Sequence, residues 1–320
     1  NSKMKKRIFS IGILVWLLLL GGAHLSAQQL PVFSQYMLND YFHNPAIAGT
    51  RPCFDAVSAN RLQWTGITDA PRSYVLSLHG PIKSLNMGVG GYLLSDITGP
   101  TRRAGFSGTY AYHIKVQEKI NVSLSLSAGM VQFAVDISKL TLDNPTDYVF
   151  ASSYTSKIVP DIGTSFLVYD FSHEDGNGNW WVGGYAPQLF PVKLNLFYNP
   201  QPTGRLVPHF YGMGGYKLFI TNDFFAEPNF LVKFVSPAPF QIDIGGRVIY
   251  KNKAWLGLTY RTKDAMSVIG GYTYKENITF GYSYDITTTN LKTYSNGTHE
   301  LVVGFRFKTT TSPSPINKEE

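Results

Sequence analysis

The feature that most constrains this chain is a two-residue alternation of polar and apolar side chains that returns about fourteen times. Asn121 to Met130 reads Asn-Val-Ser-Leu-Ser-Leu-Ser-Ala-Gly-Met, and Asn277 to Tyr284 repeats the pattern as Asn-Ile-Thr-Phe-Gly-Tyr-Ser-Tyr. Leu301, Val303, Phe305 and Phe307 alternate with Glu300, Val302, Gly304 and Arg306. A period of two belongs to a strand with different chemistry on its two faces. Charged residues make up only 15 % of the chain, against about 25 % in an ordinary soluble domain, and they gather in the links. A soluble β-sandwich would carry more charge on its outward faces. After the N-terminal leader no uninterrupted apolar run reaches the length of a spanning helix. A membrane location then requires a closed barrel, because only helices and barrels satisfy every backbone polar group in lipid. The expected fold is all-β: a transmembrane antiparallel barrel of about 14 strands with a short N-terminal periplasmic segment.

The expected strands lie near 54–64, 72–80, 86–95, 102–114, 120–135, 161–171, 179–187, 206–218, 224–235, 239–250, 254–261, 266–275, 277–287 and 298–307. The number is even, as in single-chain bacterial barrels. The longest links, Asp136–Pro160, Gln188–Arg205 and Thr288–Gly297, all follow odd-numbered strands, whereas the links after even strands are shorter. Barrels of this class have short periplasmic turns and long outer loops, so both mature termini are expected at the periplasmic mouth. Tyr216-Lys217, Tyr250-Lys251 and Tyr274-Lys275 each close a descending strand. An amphipathic ring followed by a cation is the pattern of an interfacial girdle.

Residues 1–27 read as a secretory leader. Met4-Lys5-Lys6-Arg7 is a basic start, Ile8 to Leu20 an apolar core, and Ala23-His24-Leu25-Ser26-Ala27 a small-residue cleavage site before Gln28. The expected parts are the signal peptide 1–27, a plug-like segment 28–52, the barrel 53–307 and a periplasmic tail 308–320. The four leader cations account for most of the formal charge of +7, since 7 − 4 leaves +3. No basic stripe interleaved with aromatics suggests nucleic acid. Cys53 is the only cysteine, so no intramolecular disulfide and no thiolate metal site can form.

Between leader and first strand lies a run dense in aromatics and amides: Phe33-Ser34-Gln35-Tyr36-Met37-Leu38-Asn39-Asp40-Tyr41-Phe42-His43-Asn44-Pro45-Ala46-Ile47-Ala48-Gly49. It resembles the opening of PorP/SprF proteins, which carry F-S-Q-Y-M, then N, N-P-A and A-G. Phe33, Ser34, Gln35, Tyr36, Met37, Asn39, Asn44, Pro45, Ala46, Ala48 and Gly49 match. Trp64-Thr65-Gly66 and Pro71-Arg72-Ser73-Tyr74 resemble the family's W-x-G and P-x-x-Y elements. Asp40 departs from the usual Pro. Specific motifs cover residues 33–80, and the layout covers the whole chain. The resemblance implies a non-enzymatic outer-membrane component of the type IX secretion system of Bacteroidota. Its implied partners are the periplasmic ring and lipoprotein subunits, a surface cargo such as a gliding-motility adhesin, or both. On that reading residues 28–52 dock machinery and the loops 136–160 and 188–205 meet cargo or a sister barrel.

No H-E-x-x-H, G-x-S-x-G or P-loop pattern is present, and no catalytic, metal or cofactor site is expected. His173-Glu174-Asp175-Gly176-Asn177 lacks the remaining ligands of a calcium loop. His79 and His113 are expected in the lumen as hydrogen-bonded residues. Lys233, Asp243, Arg247 and Arg306 are expected to point inward, as a paired network or as an ion path. The alternative function is a FadL-like channel for hydrophobic small molecules, a class that also has about fourteen strands and an N-P-A plug element. Such a channel needs an apolar path, whereas a lumen filled with side chains favours the secretion role.

Overall fold

A computed structural model of the protein describes residues 30–82, 85–139, 154–172, 178–194, 205–236 and 238–308. The strands are β1 (Cys53–Leu62), β2 (Arg72–Ile82), β3 (Met87–Thr98), β4 (Thr101–Lys115), β5 (Asn121–Asp136), β6 (Tyr154–Asp170), β7 (Trp180–Ala186), β8 (His209–Tyr216), β9 (Leu218–Thr221), β10 (Phe224–Val235), β11 (Gln241–Tyr250), β12 (Ala254–Arg261), β13 (Ala265–Tyr274), β14 (Ile278–Thr287) and β15 (Thr298–Lys308). Each pairs antiparallel with its neighbours, and β15 returns to β1 from Cys53↔Lys308 to Leu62↔His299, which closes the sheet. β8 and β9 both pair with β10 and form one interrupted stave, so the barrel has 14 staves. The interruption at Lys217 falls opposite Glu227 and Pro228. Proline offers the ladder no N–H, and Lys217 instead bonds Asn179 and Gly178, just before β7 on its other side.

The alternation read from sequence is the burial pattern of the wall, turned inside out relative to a soluble protein. On β5, Ser123, Ser125 and Ser127 are buried in the lumen while Leu124 and Leu126 are exposed. Around the ring the exposed side chains are Leu, Ile, Val, Phe and Tyr, and the buried wall positions are rich in Ser, Thr, Asp and Arg. Among the described residues no helix is long and apolar enough to cross a membrane; the strands cross it. Tyr216, Tyr250 and Tyr274 are exposed at strand ends. The turns after the last two place Lys251-Asn252 and Lys275-Glu276 at positive φ, the left-handed geometry of tight hairpin turns.

β6 begins seven residues earlier than expected and includes Pro160. The expected 136–160 loop is shorter by that much, and its residues 140–153 lie outside the described residues. A proline inside a strand normally argues against the strand. Here Ile162 accepts from the Leu189 N–H on the side away from β5, and Pro160, two residues earlier, faces that same side. β7 pairs with β6 only from Thr164 onward, so among the described residues no strand lies there to miss the donor.

Candidate functional site

The site is the lumen and the segment that fills it. Leu30 and Val32 pack beside Lys233, Val235 and Gln241 at the long-loop mouth. From there the chain runs down the barrel and enters β1 at Cys53, opposite Lys308 at the short-turn mouth. Residue 30 and residue 308 lie at opposite mouths, because the plug threads the barrel before the first strand starts; the ends of the mature chain, expected together at the periplasmic mouth, lie outside the described residues.

The F-S-Q-Y-M run is held by a buried ionic cluster in the long-loop half. Glu300 accepts the backbone N–H groups of Ser34 at 2.7 Å and Gln35 at 3.0 Å. The Ser34 hydroxyl donates to Asp285 at 2.7 Å and accepts from Arg61 and Arg261, each at 3.0 Å. Arg61 bridges Asp285 at 2.7 Å and Glu300 at 3.0 Å. Arg261 reaches Asp243 at 3.2 Å, and Asp243 also holds Lys233 at 3.0 Å. Gln35 donates through its amide to the Glu300 carbonyl at 3.2 Å, and the Tyr36 hydroxyl bonds Asn229. Phe33 meets Phe42 edge-on at 5.6 Å, and Met37 packs beside Tyr36. Asn39 accepts from Ser77 at 2.9 Å. A group in this position is small and hydroxylic because a larger one would break the two-arginine fork around it.

The N-P-A-x-A-G run makes a second, tighter fit. After the helical turn Asp40–His43, Asn44 caps the 3-10 turn Pro45–Ile47 by accepting from Ala46 at 3.1 Å. Pro45 takes the first helical position, where its missing N–H costs nothing. The Asn44 amide donates to the Phe166 carbonyl at 3.0 Å, and Ala46 donates to Ser165 at 2.9 Å. His113 bonds the Ala48 carbonyl at 2.9 Å through Nε2 and Tyr169 at 3.1 Å through Nδ1, so Nε2 carries the proton. Gly49 has φ +83°, and a Cβ on it would lie 2.6 Å from the Gly88 Cα. Only glycine tolerates both the conformation and the approach.

Most residues of the two motif runs are buried inside the barrel. Of the segment 28–52 that was expected to dock machinery, most of the described part lies inside the barrel, and Met37–Asp40, Arg51 and Pro52 reach the cavity at the short-turn mouth. Sequence reasoning singled out Lys233, Asp243, Arg247 and Arg306. Lys233 and Asp243 join the ionic cluster, while Arg247 pairs with Glu227 at 2.8 Å and Arg306 with Asp55 at 2.9 Å in the other half. It missed Arg61, Arg261, Asp285 and Glu300, which lie on the inward register of their strands but are distant in sequence. It also missed Arg51, which bridges Asp40 and, at 3.1 Å, Asp55. His79 stacks on Tyr41 with centroids 4.7 Å apart. The expected calcium-like turn at 173–177 lies outside the described residues. Among the described residues no group of three His, Cys, Asp or Glu could hold a metal ion.

Below the plug a cavity of about 780 Å³ opens at the short-turn mouth, floored by Met37–Asp40 and walled partly by Arg247, Trp255 and Arg306.

A closed antiparallel ring with an apolar outer belt, a polar lumen and an internal plug defines an outer-membrane β-barrel protein. The chain belongs to the PorP/SprF family: the family described as "Type IX secretion system membrane protein PorP/SprF" matches residues 25–305. It is a membrane component of type IX secretion, a class of secretion barrel rather than a known class of enzyme. No curated, characterised protein matches the sequence at a significant level. Among solved structures, a FadL homologue of Pseudomonas aeruginosa superposes with a TM-score of 0.47 at 8 % identity, over 88 % of this chain and 100 % of that one. The CymD monoaromatic hydrocarbon channel gives 0.47 at 11 % identity over 88 % and 94 %. The Ralstonia pickettii toluene transporter TbuX gives 0.46 at 9 % over 80 % and 87 %.

Proposed function

We propose that this protein is a plugged, non-enzymatic anchor for the secretion machinery. The barrel fixes the complex in the outer membrane, its short-turn mouth faces the periplasm and receives ring or lipoprotein subunits, and its long-loop face meets exported cargo such as an adhesin. The observation that carries this reading is the clamped plug. The lumen above the short-turn cavity is occupied by a segment whose backbone N–H groups and hydroxyl are bound by a buried ionic cluster. The wall around it mixes buried Ser, Thr and paired charges with apolar clusters, and around Ser34 it is ionic, which is poor solvation for a hydrophobic solute. Both facts favour a scaffold over a hydrophobic-compound channel.

The test is an affinity pull-down of the tagged protein from detergent-solubilised outer membranes, with co-purifying proteins identified by mass spectrometry. Recovery of type IX ring or translocon subunits, or of one large surface adhesin, is the expected result and chooses between the machinery role and the cargo role. A barrel that emerges alone, and that admits hydrophobic solutes after reconstitution, would replace this reading with the transporter.

A further inference from the structure

We infer that the cavity at the short-turn mouth is a socket for an acidic, partly apolar segment of a partner protein. This rests on the secretion reading above and names the chemistry of the docking segment. The cavity volume, about 780 Å³, accommodates a handful of residues in extended form. Its two walls differ. One is apolar: Leu38 packs against the cluster of Phe225, Ile249 and Trp255. The other is ionic, and its polarity is sorted by depth. The Arg51 and Arg306 side chains are 32 % and 43 % exposed, while their carboxylate partners Asp40 and Asp55 are only 11 % and 7 % exposed. Asp40 and Asp55 lie behind the guanidinium groups; the cations Arg51, Lys217, Arg247 and Arg306 line the cavity against one exposed carboxylate, Glu276. Lys253 and Lys275 stand exposed on the rim of the same mouth. Arg306 holds Asp55 through Nε, a guanidinium suits a carboxylate in a two-bond geometry, and the apolar wall suits an intervening leucine or valine. The floor is the plug itself, Met37 to Asp40, three residues from the Ser34 and Gln35 clamp, so an occupant touches the one element that closes the lumen.

The experiment uses the full mature chain in zwitterionic lipid nanodiscs and three fluorescein-labelled decapeptides: five Leu-Glu repeats, five Leu-Lys repeats and five Ser-Glu repeats. Expected is saturable binding of the Leu-Glu peptide at least tenfold tighter than of the other two. Arg306→Glu should weaken it at least tenfold. Lys253→Glu, on the exposed rim where folding is not at risk, should weaken it measurably. Equal binding of the acidic and basic peptides, or binding indifferent to both variants, overturns the socket. Binding that appears only after residues 309–320 are deleted overturns it too, since the occupant would then be this chain's own tail. If the wild type binds no peptide yet tagged Arg306→Glu still recovers the machinery, the socket fails and the secretion reading stands. If the tagged wild type recovers no machinery, the secretion reading itself fails.

Discussion

Glu300→Ala should release the plug without opening the barrel. The Glu300 carboxylate accepts two plug N–H groups at 2.7 and 3.0 Å and one bond of Arg61 at 3.0 Å, all at a site with essentially no solvent. Hydrogen bonds to charged groups are worth about 1.5–3 kcal/mol each, and removing one partner of a buried ion pair costs about 3–5 kcal/mol. Arg61 keeps Asp285 at 2.7 Å, so the lower end, about 3 kcal/mol, is appropriate. At about 1.4 kcal/mol per decade, that is roughly a hundredfold rise in the open population of the plug. Hydrogen exchange of the purified barrel in detergent reads it directly: the amides of Ser34 and Gln35 should lose about two decades of protection, while those of β4 and β5 keep theirs. The control is Glu227→Ala, which breaks the Arg247 pair in the other half and touches no plug backbone; it should leave Ser34 and Gln35 protected. Unchanged protection at Ser34 and Gln35 in Glu300→Ala, with the barrel intact, would refute the clamp.

Three further outcomes follow from the same geometry. Gly88→Ala places a Cβ 2.0 Å from the Ala48 carbonyl, and should cost about 1–3 kcal/mol of plug stability, read as faster proteolysis of residues 30–52 in an intact barrel. Burial among aromatic rings, helped by the nearby Lys233 cation, pushes His43 down to about 3 from its ordinary 6.5. The unfolded segment takes up a proton that the docked one refuses, so the plug is at full stability above pH 6.5 and loses it as pH falls from 6.5 toward 3; exchange of residues 40–48 should quicken across that window, and His43→Phe should flatten the response. Leu126→Arg on the lipid face should cost about 2–4 kcal/mol if it lies near the midplane, whereas Ser125→Ala, two strand faces apart in chemistry and one residue away in sequence, should cost less in a urea titration of the barrel in vesicles.

What the sequence by itself determined was everything that depends on local chemistry and on period. The inside-out alternation along β5 and β14 set the class, the even number of segments and the link lengths set the closed ring, and the residue types of the N-P-A turn were already those of a cap followed by a close approach. Its errors were also local. The link 136–160 looked too long because the start of β6 lies beyond the reach of β7, which pairs only from Thr164, and the segment 206–218 ran through Lys217 because Pro228 acts across the sheet. The tertiary structure alone decided where the N-terminal run goes and what its side chains are for. Ser34 meets Arg61, Asp285 and Glu300 across separations of 27, 251 and 266 residues, and no spacing rule links them. Whether amphipathic aromatics face solvent or a lumen depends on whether the ring leaves a polar, occupiable interior, and that is a property of closure, which arises only when β15 pairs with β1.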